Sequence, residues 1–233
     1  MYRLFVKRLL DILLSFLGLL VLALPMLIIA IAVKCSSKGP ALFKTERVGK
    51  NGKPFKFYKF RSMRTDAPKD CAPRLLHSED YITKVGRFLR KTSLDELPQL
   101  FCILKGSMSI IGPRPCGFSE EDLIEARKES GALKVRPGLT GLAQISGRDV
   151  LAEDVVAKAK LDGEYAKKIT FWRDLKIFFK TIVVVLREDD VVEGTAETTP
   201  AQAEEEGKAD VAEVLLEAAP ADATNEDKEE ETK

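Results

Sequence analysis

A chain of 233 residues has room for one ordinary domain with additions. Its formal net charge of +1 conceals a split: Asp189 to Lys233 carries 16 acidic and 3 basic residues, against 34 basic and 20 acidic in the rest. A basic body with an acidic tail points to an anionic partner: a membrane surface, a nucleotide or a nucleic acid. Four cysteines without CxxC spacing or a histidine set argue against a zinc site and against a disulfide framework. The one histidine, His77, lies in a polar stretch and reads as a surface residue rather than a base.

The chain opens with Arg3, Lys7 and Arg8. The 22 residues from Ile12 to Val33 then carry no charge. That is long enough for a membrane helix, which needs about 20 residues. It exceeds the roughly 7–15 residues of a signal-peptide core, so cleavage near Ala30-Ile31-Ala32 is not expected. A single span is the ordinary reading of such a run. Two features favour a re-entrant hairpin instead. Basic residues flank both ends, with Lys34, Lys38, Lys44 and Arg47 on the far side, and the positive-inside tendency then places both ends in the cytoplasm. Pro25, near the middle of the run, frees a carbonyl and kinks the helix.

Residues 41–48 and 54–61 alternate apolar with polar, and Asn51-Gly52 lies between them, which predicts a β-hairpin. Its interleaved aromatics and cations suit single-stranded nucleic acid or a lipid interface. We favour the interface and expect no nucleic-acid partner. Residues 64–78 read as a loop. Ile82, Val85, Phe88 and Leu89 recur at helical spacing among basic residues, as on a helix lying on anionic membrane.

Thr92 to Leu100 then places two adjacent carboxylates, Asp95 and Glu96, at an expected helix start inside a cationic neighbourhood. Ser93-x-x-Glu96 fits a capping box, which would make Glu96 structural. The other reading is chemical. A carboxylate ionised at neutral pH can attack phosphorus without a general base, which suits Asp95. Glu96 would help hold Mg²⁺ against phosphate oxygens. Adjacent helix residues do not face each other, so two separate jobs fit better than one shared proton.

Ser107 to Pro115 reads as a loop, with Arg114 between two prolines, and residues 119–129 as a short helix. Lys134 to Arg148 holds three glycines and two arginines. Glycines let amides approach a phosphate, so Arg136 and Arg148 are candidate substrate contacts. Residues 150–168 and 171–187 read as two helices, the second suiting an interface or a core equally. From Asp189 the composition is that of a disordered tail.

In this order, Phe5 to Asp11, Tyr58 to Met63, Ser93 to Leu100, Gly112-Pro-Arg-Pro115 and Val135 to Gly141 resemble the small monotopic phosphoglycosyl transferases of bacteria. The resemblance runs from about Tyr2 to Arg187. It implies a re-entrant membrane helix, a catalytic Asp-Glu pair, Mg²⁺, a UDP-sugar donor and a polyprenyl (undecaprenyl) phosphate acceptor. By position, Asp95 becomes the nucleophile and Glu96 the metal-side carboxylate. Lys59, Arg90 and Arg114 become phosphate or nucleotide contacts. Members often carry serine before the membrane proline; here Leu24 stands there.

The expected fold is α+β and mainly helical, with a re-entrant helix hairpin, interfacial amphipathic helices and a small β-hairpin. The expected organisation is residues 1–36 in the membrane, 37–188 as catalytic domain and 189–233 as tail. The expected location is the bacterial inner membrane, with both termini cytoplasmic. Direct attack by the acceptor in a ternary complex is a rival mechanism, and a membrane-anchored adaptor is a rival of another class. No residue pattern reads out the sugar, the glycan pathway or the oligomeric state.

Overall fold

In the computed structural model the described residues are 1–67, 81–146 and 154–187. Arg148, most of the expected loop over 64–78 and the acidic tail lie outside them.

The apolar N-terminal run folds into two helices rather than one. A π-type turn at Tyr2–Val6 leads into α1, Lys7–Val21, and α2 follows at Ala23–Ser36. No single helix among the described residues is long and apolar enough to cross a membrane. The pair together has the length and composition, and it is bent by 63°. The bend falls at Leu22, so Pro25 lies in the first turn of α2, where a missing N–H costs least. Leu9, Leu13, Phe16, Leu20, Leu24 and Leu27 form an exposed apolar outer surface. The inner side is built for contact: Gly18 lets α1 close on Leu100, and Val33 of α2 packs with Phe60 and Leu89.

Strands β1 (Leu42–Val48) and β2 (Pro54–Phe60) pair antiparallel, with Val48 opposite Pro54. Asn51 and Gly52 take φ of 58° and 76° in the connecting turn, as the Asn-Gly signal requires. The ribbon is covered on both faces near its end, not on one. Phe57 enters the cluster of Leu100, Ile103 and Met108, while Phe60 enters that of Val33 and Leu89. Each such ring contributes about 2–3 kcal/mol by leaving water. Lys59 lies between them in sequence.

Helix α3 spans Lys84–Lys91, capped by Thr83, whose Oγ1 accepts from the Gly86 amide at 2.9 Å. A short 3₁₀ turn at Leu94–Glu96 follows, then α4, Gln99–Lys105, which stops at Gly106 in the left-handed region. Strand β3 (Ser109–Ile111) pairs in parallel with β4 (Gly138–Thr140), across α5, Glu121–Ser130. Both strands are only three residues long, too short for a periodic signal, and β3 lies where a loop was expected. The chain continues through α6 (Leu142–Ile145), α7 (Val155–Lys167) and α8 (Phe171–Arg187).

Glycines decide how closely β3 and β4 approach. A Cβ on Gly138 or Gly141 would collide with the backbone of Gly112, and one on Gly112 would reach the Arg136 carbonyl. These glycines are therefore used for chain-against-chain contact, not for an open phosphate cradle. In α8 Asp174, Ile177 and Thr181 form an inward stripe, Ile177 being 1% exposed. Trp172, Phe179 and Val183 stay outside, which is the interface pattern rather than the core one.

Gly138→Ala is expected to destabilise the protein by about 3 kcal/mol or more, because backbone on both sides must move. Chemical denaturation in detergent checks this, and an unchanged midpoint would mean that the β3–β4 contact is easily spread.

Candidate active site

The acidic pair sits in a turn whose direction is set by leucines. Leu94 and Leu97, three apart in a 3₁₀ turn, share a face. Both pack into the cluster of Val33, Phe60 and Leu89. Ser93 enters the turn with φ of 53°, an uncommon conformation for a residue with a Cβ. The expected capping box is not formed. The Ser93 side chain caps nothing, and the Glu96 carboxylate bonds Arg114 rather than the Ser93 amide. Asp95 and Glu96 therefore precede α4 rather than opening it, and the stability explanation for Glu96 lapses.

Three cations converge on the pair from three elements. Arg114 grips both Glu96 oxygens: Nη2 donates to Oε1, and Nη1 reaches Oε2 at 3.4 Å. Arg90 comes from α3, where its Nε donates to Ser62 Oγ at 3.0 Å. Lys59 comes from β2, its ammonium 5.6 Å from the Phe43 ring centroid. Asp95 is 7% exposed. Burial pushes its carboxyl above the ordinary range, and Glu96 pushes it further; Lys59, Arg90 and Arg114 pull it back. Burial and then Arg90 push the Lys59 ammonium down, against the pull of Asp95 and Glu96. Glu96 in turn raises the Arg114 guanidinium.

Four of the five expected substrate contacts can thus be placed. Lys59, Arg90 and Arg114 lie together around Asp95 and Glu96. Arg136 does not join them: its Nε donates to the Gly106 carbonyl at 2.8 Å, at the end of α4. Arg148 is outside the described residues. No sequence signal marks a further cation, Lys158 of α7. Burial and then Arg127 push its ammonium down, and Arg114 is also near enough to act on it.

The backbone of the Pro-Arg-Pro loop is pinned at successive points. The Gly112 amide donates to Thr140 O at 2.8 Å, and the Gly138 amide to Pro113 O at 2.9 Å. Arg127 Nη1 donates to Arg114 O at 2.8 Å, and the Val48 amide to Cys116 O at 3.0 Å. Arg127 is itself held by Asp162, with Nε and Nη2 at 2.9 and 2.6 Å from Oδ2.

A metal held by protein alone is not provided for: no group of three or more His, Cys, Asp or Glu gathers among the described residues. Mg²⁺ asks for less, because it often takes one or two carboxylates and completes its shell with water and phosphate oxygens. Glu96 is a hard oxygen donor of that kind, standing beside an Asp95 carboxyl raised by burial and then by the Glu96 charge, and fits such a partial set.

The Asp95 environment has a cost with a definite pH sign. A carboxyl that holds its proton more tightly folded than unfolded loses stability as pH rises through that interval. At neutral pH the ionised form weakens the fold. Asp95→Asn is expected to raise Tm by a few degrees at neutral pH, and the gain to vanish below the ordinary aspartate value of 3.8. Calorimetry in detergent at the two pH values checks it. A lower Tm at neutral pH would mean that the three cations outweigh burial.

Comparison with known proteins bears on this arrangement. A UDP-glucose:undecaprenyl-phosphate glucose-1-phosphate transferase of Klebsiella pneumoniae is 44% identical over 182 residues, covering 76% of this chain and 39% of the relative. An undecaprenyl-phosphate galactose phosphotransferase of Salmonella typhimurium is 42% identical over 200 residues, covering 79% and 41%. A second glucose-1-phosphate transferase, from Caulobacter vibrioides, is 40% identical over 191 residues, covering 79% and 71%. The chain thus spans about two fifths of the length of the first two relatives and most of the third. The bacterial sugar transferase pattern itself matches residues 2–188, every described residue after Met1. With the match running unbroken from the bent helix pair to α8, this chain belongs to the bacterial sugar transferase family.

Proposed function

We propose that the chain transfers a sugar-1-phosphate from a UDP-sugar to polyprenyl phosphate at the cytoplasmic face of the inner membrane. One observation carries the reading: a buried carboxylate, Asp95, stands beside Glu96 under three converging cations. That is a place for a polyanion to meet a carboxylate. The relatives' names, which couple UDP-glucose or galactose to undecaprenyl phosphate, support the same reading.

An Asp95 oxygen attacks the sugar-linked phosphorus of the donor. The bond from that phosphorus to the bridging oxygen breaks, and UMP leaves with the electron pair. A phosphate oxygen of the acceptor then attacks the same phosphorus, releasing the Asp95 carboxylate and a polyprenyl diphosphate sugar. Lys59, Arg90 and Arg114 hold the non-bridging oxygens, where charge must be neutralised for two anions to approach. Mg²⁺, held by Glu96, would supply further neutralisation of the pyrophosphate. Residues 1–36 form the membrane hairpin and 37–188 the catalytic unit in this reading, with 189–233 as an acidic tail.

Mixing the enzyme, Mg²⁺ and the correct UDP-sugar without acceptor is expected to release about one UMP per enzyme at most. Intact mass should show the added sugar phosphate, labile to hydroxylamine. Asp95→Asn should abolish both signals, and Glu96→Gln should slow the burst and weaken its metal dependence. Robust turnover with acceptor but neither burst nor adduct would replace this route with direct attack in a ternary complex. No metal-dependent UMP release from any UDP-sugar would leave an adaptor.

The hairpin topology has its own measurement. Basic residues at both ends and the 63° bend predict that both ends face the cytoplasm. Cysteines placed at Tyr2 and Ser37 should both resist an impermeant thiol reagent applied outside cells whose outer barriers are opened. Labelling of one alone would make the pair a span.

A further inference from the structure

We propose that the buried Arg127–Asp162 pair positions Arg114, setting this active-site guanidinium through its own backbone carbonyl. The proposal rests on the reading that Arg114 holds phosphate oxygens.

The pair is poorly explained as a stabiliser. Arg127 is 2% exposed and Asp162 is fully buried. Burying two charges costs several kcal/mol per ion before their attraction is counted, and apolar residues of similar volume often do as well or better. Here the geometry is also wasteful. Asp162 Oδ2 accepts both Nε and Nη2 of Arg127, while Oδ1 is buried without a hydrogen-bond partner. Burial pushes the Asp162 carboxyl up, against the pull of Arg127.

What the pair does achieve is direction. Two guanidinium nitrogens are spent on Asp162, which fixes the plane of the fork. The third nitrogen, Nη1, then points at Arg114 O, 2.8 Å away. A lysine could not serve both partners, because its ammonium is a single point without the planar fork. The loop needs such a handle. Pro113 and Pro115 have no amide hydrogens, so the backbone around Arg114 is held mainly through carbonyls. Pro113 O is taken by the Gly138 amide and Arg114 O by Arg127. The side chain beyond this anchor spans to Glu96 on another element, so a small rotation of the loop would move the guanidinium off its partner. The anchor comes from α5 and α7, whose close approach is set at Gly163, where a Cβ would crowd Ser130.

The test uses the full chain in detergent, with Arg127→Lys and Asp162→Asn made alone and in an Arg114→Ala background. Arg127→Lys is expected to slow UMP release about tenfold in the native background. It should cost less than about twofold once Arg114 is gone, because residues that act through one another are not additive. Hydrogen exchange read by mass spectrometry should rise over residues 112–117 and stay unchanged over α4. Equal slowing in both backgrounds would overturn the proposal, as would unchanged exchange over 112–117. A global rise in exchange in both variants would overturn it too, since the pair would then only hold the fold. If the native chain releases no UMP from any UDP-sugar, the proposed function falls, and the exchange measurement alone decides the positioning claim.

Discussion

Asp95 holds a carboxylate out of water beside a second carboxylate, and the surrounding architecture offsets part of that cost. An isolated buried charge in such a setting would neutralise itself by taking a proton. Lys59, Arg90 and Arg114 oppose this, and each reaches the pair from a different element: a strand, a helix and a pinned loop. The fold's main task is to bring those three elements to one point. Phe57 and Phe60 root the strand on both sides of Lys59 in sequence. The Gly86 backbone presses α3 against Ser62, next to Arg90's own contact. The β3–β4 contact fixes where the Pro-Arg-Pro loop begins.

The bent helix pair is joined to this body by charged groups rather than by apolar packing alone. Arg61 caps the end of α2, donating to Ser37 O at 2.7 Å and Val33 O at 3.1 Å. Arg8 of α1 caps α4 at Ile103 O and Leu104 O. Asp11 accepts from Ser109 Oγ and the Ile110 amide of β3. Asp174 accepts from Tyr2, Lys7 and Tyr165, tying the start of the chain to α7 and α8. Such contacts satisfy helix ends and buried charges at fixed points. They therefore set the height of Asp95 relative to the exposed apolar surface of the hairpin. For the proposed reaction between a soluble donor and a lipid acceptor, that height is what the geometry has to control.

Much of the fold could be read from local pattern. Alternation with Asn51-Gly52 marked the β-hairpin, and helical spacing marked α3 and α8. The uncharged run with Pro25 marked the bent pair. Each signal is local because it reflects one element's face or one turn's backbone. The acidic pair and Arg114 were legible as residue types. Their adjacency in space was not, since the two stretches are separated by α4 and β3.

Composition, charge and motif order by themselves determined a basic, mainly helical body with a membrane-type hairpin and an Asp95–Glu96 pair among cations. Tertiary structure alone decided the rest. It removed Glu96 from capping by turning Ser93 left-handed and offering Arg114 instead. It sent Arg136 to the end of α4 and spent the glycines of residues 138–141 on contact with Gly112. It also brought Lys158 and the Arg127–Asp162 pair, which carry no sequence motif, to the back of the Arg114 loop. The physical reason is the same in each case. A hydrogen-bonding group or a glycine is committed by the partner that long-range packing delivers to it, and that partner is not written within a turn or two of the residue.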